Sequence, residues 1–227
     1  MTKKEISDAL SIQLRKSIDA YFDSRNEPVY KTWYKKKSSG GRRLICEPEI
    51  ELRKLQKGIL KVFKDIKIYQ RFSKSCVGFM PKKSIAENAA KHVRVLNISN
   101  VEEFPFAYNR LDRVYGKSYS FSDKRLVLKE ARAVGMDFKD AFGSVTTELI
   151  LEGLKEITTF SEEDLDRIIK TTTRRGVLPQ GAHTSPVMQN IAFNVFDNYL
   201  LAILTKKIHA KYGVKFCYTR FADDLVL

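Results

Sequence analysis

The stretch Phe221-Ala222-Asp223-Asp224-Leu225-Val226-Leu227 sets two adjacent carboxylates between an aromatic ring and an apolar run. Apolar side chains seek the interior, whereas uncompensated carboxylates are strongly disfavoured there. A tight turn with strands on both sides meets both demands. Val214 to Arg220 reads as a strand, Phe221 to Asp224 as the turn and Leu225 to Leu227 as the returning strand. The chain must therefore fold around a sheet with an acidic tip. The remainder has the opposite charge: 41 Lys and Arg against 27 Asp and Glu, a formal net charge of +14 in 227 residues. That excess points to a polyanion, most simply nucleic acid.

A third carboxylate, Asp137, closes another apolar stretch, and Arg132 to Met136 reads as a short buried strand ending there. Strand ends hold side chains rigidly, and strands remote in sequence can be neighbours in a sheet. Three converging carboxylates repel one another unless a cation lies between them. Magnesium takes oxygen ligands and is commonly shared with substrate phosphates. Two such ions, about 3.5–4 Å apart, stabilise the attacking and leaving oxygens of phosphoryl transfer. An Asp-Asp pair is also ordinary turn chemistry, so the pair alone leaves both readings open.

The length suits one large domain or two small ones, and 43% hydrophobic residues suffice for a core. Cys46, Cys76 and Cys217 are widely spaced and odd in number, against a disulfide framework or zinc knuckle and in keeping with a reducing cytoplasm. The opening MTKKEISDAL has no apolar signal core. The most apolar long stretch, Ile191 to Leu204, is interrupted by Asn194, Asp197 and Asn198 and is too short and polar to span a bilayer. The expectation is a cytoplasmic protein with no membrane partner.

Ile6, Leu10, Leu14, Ile18 and Phe22 form one apolar helical stripe ending before Pro28. Lys35 to Lys37, then Ser-Ser-Gly-Gly, then Arg42 and Arg43 read as a basic hairpin that returns through Leu44 and Ile45 and closes at Pro48. Leu52, Leu55, Ile59, Leu60 and Phe63 follow helical spacing. Ser84 with Glu87 is a capping box for a helix to about residue 96, and residues 97–124 are irregular and aromatic-rich. Further helices are expected at 148–156, at 162–172 with Ser161 and Asp164 as capping box, and at 185–211 after a Gly-Pro-Gly loop.

Three motifs occur in order: DFKDAF from Asp137 to Phe142, LPQGAHTSP from Leu178 to Pro186, and FADD from Phe221 to Asp224. Upstream stand GGRRLICEP with LRKLQ, and VGFMPKKSI. Together these resemble motifs A, B and C and the first two fingers motifs of the reverse transcriptase family, over residues 31–227. The resemblance implies an α+β, right-hand polymerase fold: fingers plus an incomplete palm, with a small antiparallel sheet packed on helices. Residues 1–27 would form an N-terminal helical extension and 28–130 the fingers. Residues 131–227 would form the palm, with the helical part at 143–178 belonging to the fingers.

The resemblance also implies roles. Asp137 and Asp223 would bind two magnesium ions (or manganese), with Asp224 adding charge and the Phe138 carbonyl a further oxygen. Arg43, Phe138, Asp140, Ala141, Phe142 and Gln180 would meet a deoxynucleoside triphosphate. Arg42 and Lys37 stand in for Arg43, and the Phe142 ring would exclude a 2′-hydroxyl. Phe142 is equally compatible with a core position, and Ser185-Pro186 with Phe142 argue against an RNA-dependent RNA polymerase. Gly181, Ser185, Pro186 and Phe221 would face an RNA template and its DNA or RNA primer. Gly181 permits close backbone approach, and Pro186 is pre-set for a first helical turn.

Asn88-Ala89-Ala90-Lys91-His92 resembles the Asn-Ala-x-x-His signature of retron reverse transcriptases, and Asn88 and His92 share a helix face. The same pair is also compatible with a polar contact of purely structural use. A retron-type enzyme implies its own structured noncoding RNA, an effector protein and anti-phage defence. Motif C has Phe221 where Tyr is commoner. The family continues beyond FADD with more palm and a thumb, absent from this sequence, so a fragment is expected. Group II intron-type or other defence-associated enzymes, and a non-catalytic nucleic-acid-binding fragment, remain the alternatives.

Overall fold

The computed structural model describes residues 8–38, 40–86, 88, 91–92, 134–212 and 216–227. The chain divides into two compact units. One gathers residues up to Ser73 with Lys139–Phe196, and the other gathers Lys74–Phe138 with Asp197–Leu227.

In the first unit, helix α1 (Ile12–Asp23) starts where Ser11 Oγ accepts the Leu14 amide, and it buries Ile18 and Tyr21. Strands β1 (Tyr30–Lys36) and β2 (Arg42–Pro48) form an antiparallel ribbon, Tyr30 opposite Pro48 through Lys36 opposite Arg42. Gly40 and Gly41, at φ 89° and 78°, make the reversal that side-chain-bearing residues resist. Helix α2 (Ile50–Asp65) buries Leu52, Leu55, Ile59 and Phe63 of the apolar stripe read from the sequence and leaves Leu60 half-buried.

A four-residue turn of helix, α3 (Ala141–Ser144), leads to α4 (Thr147–Ile157) and α5 (Glu162–Thr172). Helix α6 (Ser185–Ile203) then carries the chain into the second unit. Gly153 on α4 lets α6 approach closely, since a Cβ there would lie 2.2 Å from the Ile191 carbonyl oxygen. The expected Ser161/Asp164 capping box is half formed. Ser161 Oγ accepts the Asp164 amide, but the fully buried Asp164 carboxylate turns to the Leu10 amide at 2.9 Å and the Arg15 guanidinium. Charge-assisted bonds to the N-terminal segment outcompete the local reciprocal bond.

The second unit is built on a three-stranded antiparallel sheet in the order β3 (Gly135–Asp137), β5 (Asp224–Val226), β4 (Thr219–Phe221). Its core is Leu204, Tyr218 and Leu225, with Phe138, Leu200, Leu201, Phe216 and Leu227 packed around them. Beyond α6 the helix widens to π pitch over Leu204–His209 and ends in the turn α7 (Ala210–Tyr212).

Three sequence expectations need correction here. Strand β3 is exposed at Gly135, Met136 and Asp137, not buried, whereas β4, the other outer strand, is buried at Thr219 and Arg220. Of the strand expected at 214–220, the described residues form a ladder only from Thr219, and Phe216 and Tyr218 contribute side-chain packing instead. Phe221 belongs to β4 and Asp224 to β5, so the turn proper is Ala222-Asp223. The Glu87 half of the expected capping box, the 97–124 segment and the start of the 214–220 strand lie outside the described residues.

Candidate active site

The sheet register brings the three sequence-predicted carboxylates to one end of the second unit. Asp137, last in β3, stands opposite Asp224, first in β5, and Asp224 stands opposite Phe221 on β4. Asp223 occupies the turn between β4 and β5, and its carbonyl accepts the Phe138 amide at 3.2 Å. The Asp224 carboxyl is pushed above its ordinary value by partial burial and by the charges of Asp223 and Asp137. The three acids therefore feel one another.

Among the described residues no three His, Cys, Asp or Glu side chains are drawn close enough to form a metal cluster. The donor set nonetheless suits a hard divalent cation: all oxygen, acidic, and mutually repelling. A cation would relieve the repulsion that, after partial burial, raises the Asp224 carboxyl.

The turn itself is strained. Ala222 sits at φ 61°, a conformation that costs a non-glycine residue about 1–3 kcal/mol. Three supports surround it. The Arg220 amide donates to the Ser75 carbonyl at 2.8 Å, and the Val77 amide donates to the Arg220 carbonyl at 2.9 Å. Gly78 abuts the turn so closely that a Cβ would lie 2.2 Å from the Ala222 nitrogen. The Arg220 side chain donates from Nη1 to the Ala222 carbonyl at 2.9 Å while pairing with Asp197. Sequence reasoning missed Gly78, Arg220, Asp197 and Tyr218. The available signal was a pair of charges inside apolar stretches, at Asp197 and at Arg220.

The motif B residues lie in the first unit. The Gln180 carbonyl accepts the Cys46 amide at 2.7 Å, tying the loop to β2. Gly181 is at φ 110°, and a Cβ there would press on Ile45 Cγ2 at 3.0 Å and on the Cys46 carbonyl oxygen at 3.2 Å. The glycine is thus required by conformation and by space. Ser185 Oγ donates to the Pro179 carbonyl at 2.6 Å, closing the loop onto the start of α6, where Pro186 is the second residue. Asp140, at φ 51°, precedes α3; its carbonyl accepts the Ser144 amide, and its carboxylate lies over Gly143. Ala141 is buried and Phe142 half-buried.

The basic ribbon sorts its charges by face. Arg43 stands opposite Lys35, on the same face as Trp33 and Ile45. Arg42 stands opposite Lys36, on the face of Tyr34 and Leu44. Arg42, expected as a stand-in for Arg43, therefore lies on the opposite face of the ribbon. Like charges directly opposite each other destabilise a ribbon, and a bound polyanion removes that penalty.

Asn88 is buried, and its amide donates to the Ser84 carbonyl. His92 Nε2 lies 2.6 Å from Thr219 Oγ1 on β4. Burial, with Lys91 nearby, lowers the His92 pKa and so disfavours the charged ring.

A small antiparallel sheet with acids at its turn, accompanied by helices in a mixed α and β chain, defines a right-hand polymerase-like fold. The chain is similar in fold to the solved structure of telomerase from Candida albicans in complex with a TWJ fragment of telomeric RNA, at 13% identity and a TM-score of 0.52. That match covers 94% of this chain and 41% of the telomerase chain, so this chain spans less than half of that structure's length. The sequence model of the reverse transcriptase (RNA-dependent DNA polymerase) family matches residues 34–227. The chain belongs to the reverse transcriptase family.

Proposed function

We propose that this chain carries the nucleotidyl-transfer chemistry of an RNA-templated DNA synthesis. The observation that carries the reading is the register that aligns Asp137 with Asp224 beside Asp223, where partial burial and then the two neighbouring charges raise the Asp224 carboxyl. Asp137, Asp223 and Asp224, with the Phe138 carbonyl, would hold two magnesium ions, manganese being an alternative. When bound, such ions ease deprotonation of a primer 3′-hydroxyl and neutralise charge on the attacked phosphate. The chain's own residues do the rest. Strands β3 and β5 fix the carboxylates. Arg43 offers a guanidinium fork to phosphate oxygens. The Phe142 ring selects deoxynucleotides, and Gly181 clears backbone space for template or nucleotide. Residues 28–130 correspond to fingers and 131–227 to palm, with 143–178 counted among the fingers.

Within the family, a retron-type enzyme is favoured by Asn88 and His92. His92 of that signature reaches β4 through its Nε2 contact with Thr219 Oγ1, beside the strand that leads into FADD. That reading brings a structured noncoding RNA, an effector protein and a cytoplasmic role in anti-phage defence. Among the described residues no helix is long and apolar enough to cross a membrane.

Primer extension on an RNA template with deoxynucleotides and magnesium tests the reading. The parent should extend. Asp223→Asn should lose at least about a thousandfold in rate while RNA binding is kept, since several kcal/mol of charge stabilisation disappear. In the same assay Phe142→Ala should admit ribonucleotides. RNA bound without extension by the parent would show a non-catalytic binding fragment instead.

A further inference from the structure

The most unusual group outside the carboxylates is a buried ion pair immediately behind them. Arg220 and Asp197 are each fully buried. Arg220 Nε lies 3.0 Å from Asp197 Oδ1, and Nη2 lies 2.8 Å from Oδ2. Tyr218 donates its hydroxyl to Asp197 Oδ1 at 2.7 Å. Burial opposes the Arg220 charge, but Asp197 outweighs it and holds the guanidinium protonated above its ordinary value. The remaining guanidinium nitrogen, Nη1, reaches the Ala222 carbonyl at 2.9 Å.

A buried ion pair contributes little net stability, because desolvating two charges offsets most of their attraction. What it does supply is direction. The planar guanidinium fork can grip a carboxylate on one edge and a carbonyl on another, which an ammonium cannot reproduce. The carbonyl gripped here belongs to the one residue of the FADD turn with positive φ. Gly78 meanwhile presses on the nitrogen side of the same residue.

We propose that Arg220, oriented by Asp197 and Tyr218, is a positioning residue: it holds the Ala222 peptide in its strained conformation and so aims Asp223 and Asp224. Its catalytic consequence rests on the polymerase reading above, but the effect on the turn does not.

The test compares the parent chain with Asp197→Leu/Arg220→Met, which removes both charges at similar volume, and with Arg220→Lys, which keeps a charge but loses the fork. Three quantities are read: hydrogen–deuterium exchange peptide by peptide, binding of Mn2+ alone followed by electron paramagnetic resonance, and primer extension. In the double variant, exchange at residues 221–224 should rise on the order of tenfold while peptides from α2 and α5 keep the parent's rates. Mn2+ affinity should fall roughly five- to tenfold, since ligands lose their orientation. Extension should lose kcat with the nucleotide KM unchanged.

Arg220→Lys should show the same changes at smaller size. It also serves as the reporter if the double variant fails to fold. Turn exchange and Mn2+ affinity equal to the parent's in either folded variant would overturn the proposal. So would exchange rising equally across every peptide, which would make the pair a support of the fold at large. If the exchange and Mn2+ changes appear but the parent does not extend a primer, the positioning role stands and the polymerase reading fails.

Discussion

The ribbon β1–β2 and the sheet β3–β5–β4 are both small antiparallel structures, yet they are held in opposite ways. The ribbon has seven facing pairs, two glycines at its turn and mostly exposed side chains. Its charges are all of one kind near the tip. The sheet has strands of three residues, an alanine forced to positive φ at one turn, and a buried network beneath it. A surface that neutralises a polyanion needs density of charge and tolerates motion. A site that moves electrons between particular atoms needs fixed geometry. The first can be made from local pairing alone, whereas the second must be imposed by tertiary contacts.

The sheet should therefore be far more sensitive to single changes. The largest effect is expected from Arg220→Ala, which strands the buried Asp197 charge and should cost about 3–5 kcal/mol in chemical denaturation. A loss under about 1 kcal/mol would show that water reaches Asp197 and that the network is not a dry support. Next comes Gly78→Ala. Its new methyl would meet backbone, 2.2 Å from the Ala222 nitrogen and 2.8 Å from the Phe221 carbonyl carbon, so no side chain can swing aside. Thermal unfolding should register a loss of about 1–3 kcal/mol, typical of overpacking. Wild-type stability in this variant would place slack where the structure has none.

The same contrast explains what could be read from the sequence. The ribbon, α2, α4 and α5 declare themselves through local signals: the Gly-Gly turn, the apolar periodicity and Ser161 before a helix. The order of the acidic motifs was equally plain. The pairing of Asp137 with Asp224 was not, because register between strands that far apart is set by the packed core rather than by neighbours in the chain. Asp197 looked like a polar break in an apolar run and Arg220 like the end of a strand, and only the folded chain shows that they complete each other. Asp164 misled for a related reason: its carboxylate had a local bond available and found stronger ones at Leu10 and Arg15.

On the ribbon, effects should be smaller and should separate by face. Arg43→Ala should raise the nucleotide KM about tenfold, the worth of one charge-assisted hydrogen bond. Arg42→Ala should leave that KM alone and reduce the salt dependence of RNA binding by about one phosphate contact. Steady-state kinetics at several deoxynucleotide concentrations, and binding titrations at several salt concentrations, separate the two. Equal effects from both arginines would mean that the ribbon twists or moves enough to present both faces to one ligand.

The smallest effect is expected from pH, through His92. The ring sits half-buried against Thr219 Oγ1, and burial, aided by Lys91, lowers its folded-state pKa below the ordinary 6.5. Well above 6.5 the ring is neutral in both folded and unfolded chains and contributes no pH dependence. As pH falls below 6.5 the unfolded chain takes up the proton before the folded one does, so stability declines until the folded ring also titrates. Denaturation midpoints at pH 7.5 and 5.5 should therefore fall further for the parent than for His92→Gln. The difference should be confined to that acidic window. An identical decline in both would place the acid sensitivity elsewhere and show that folding does not shift the titration of His92.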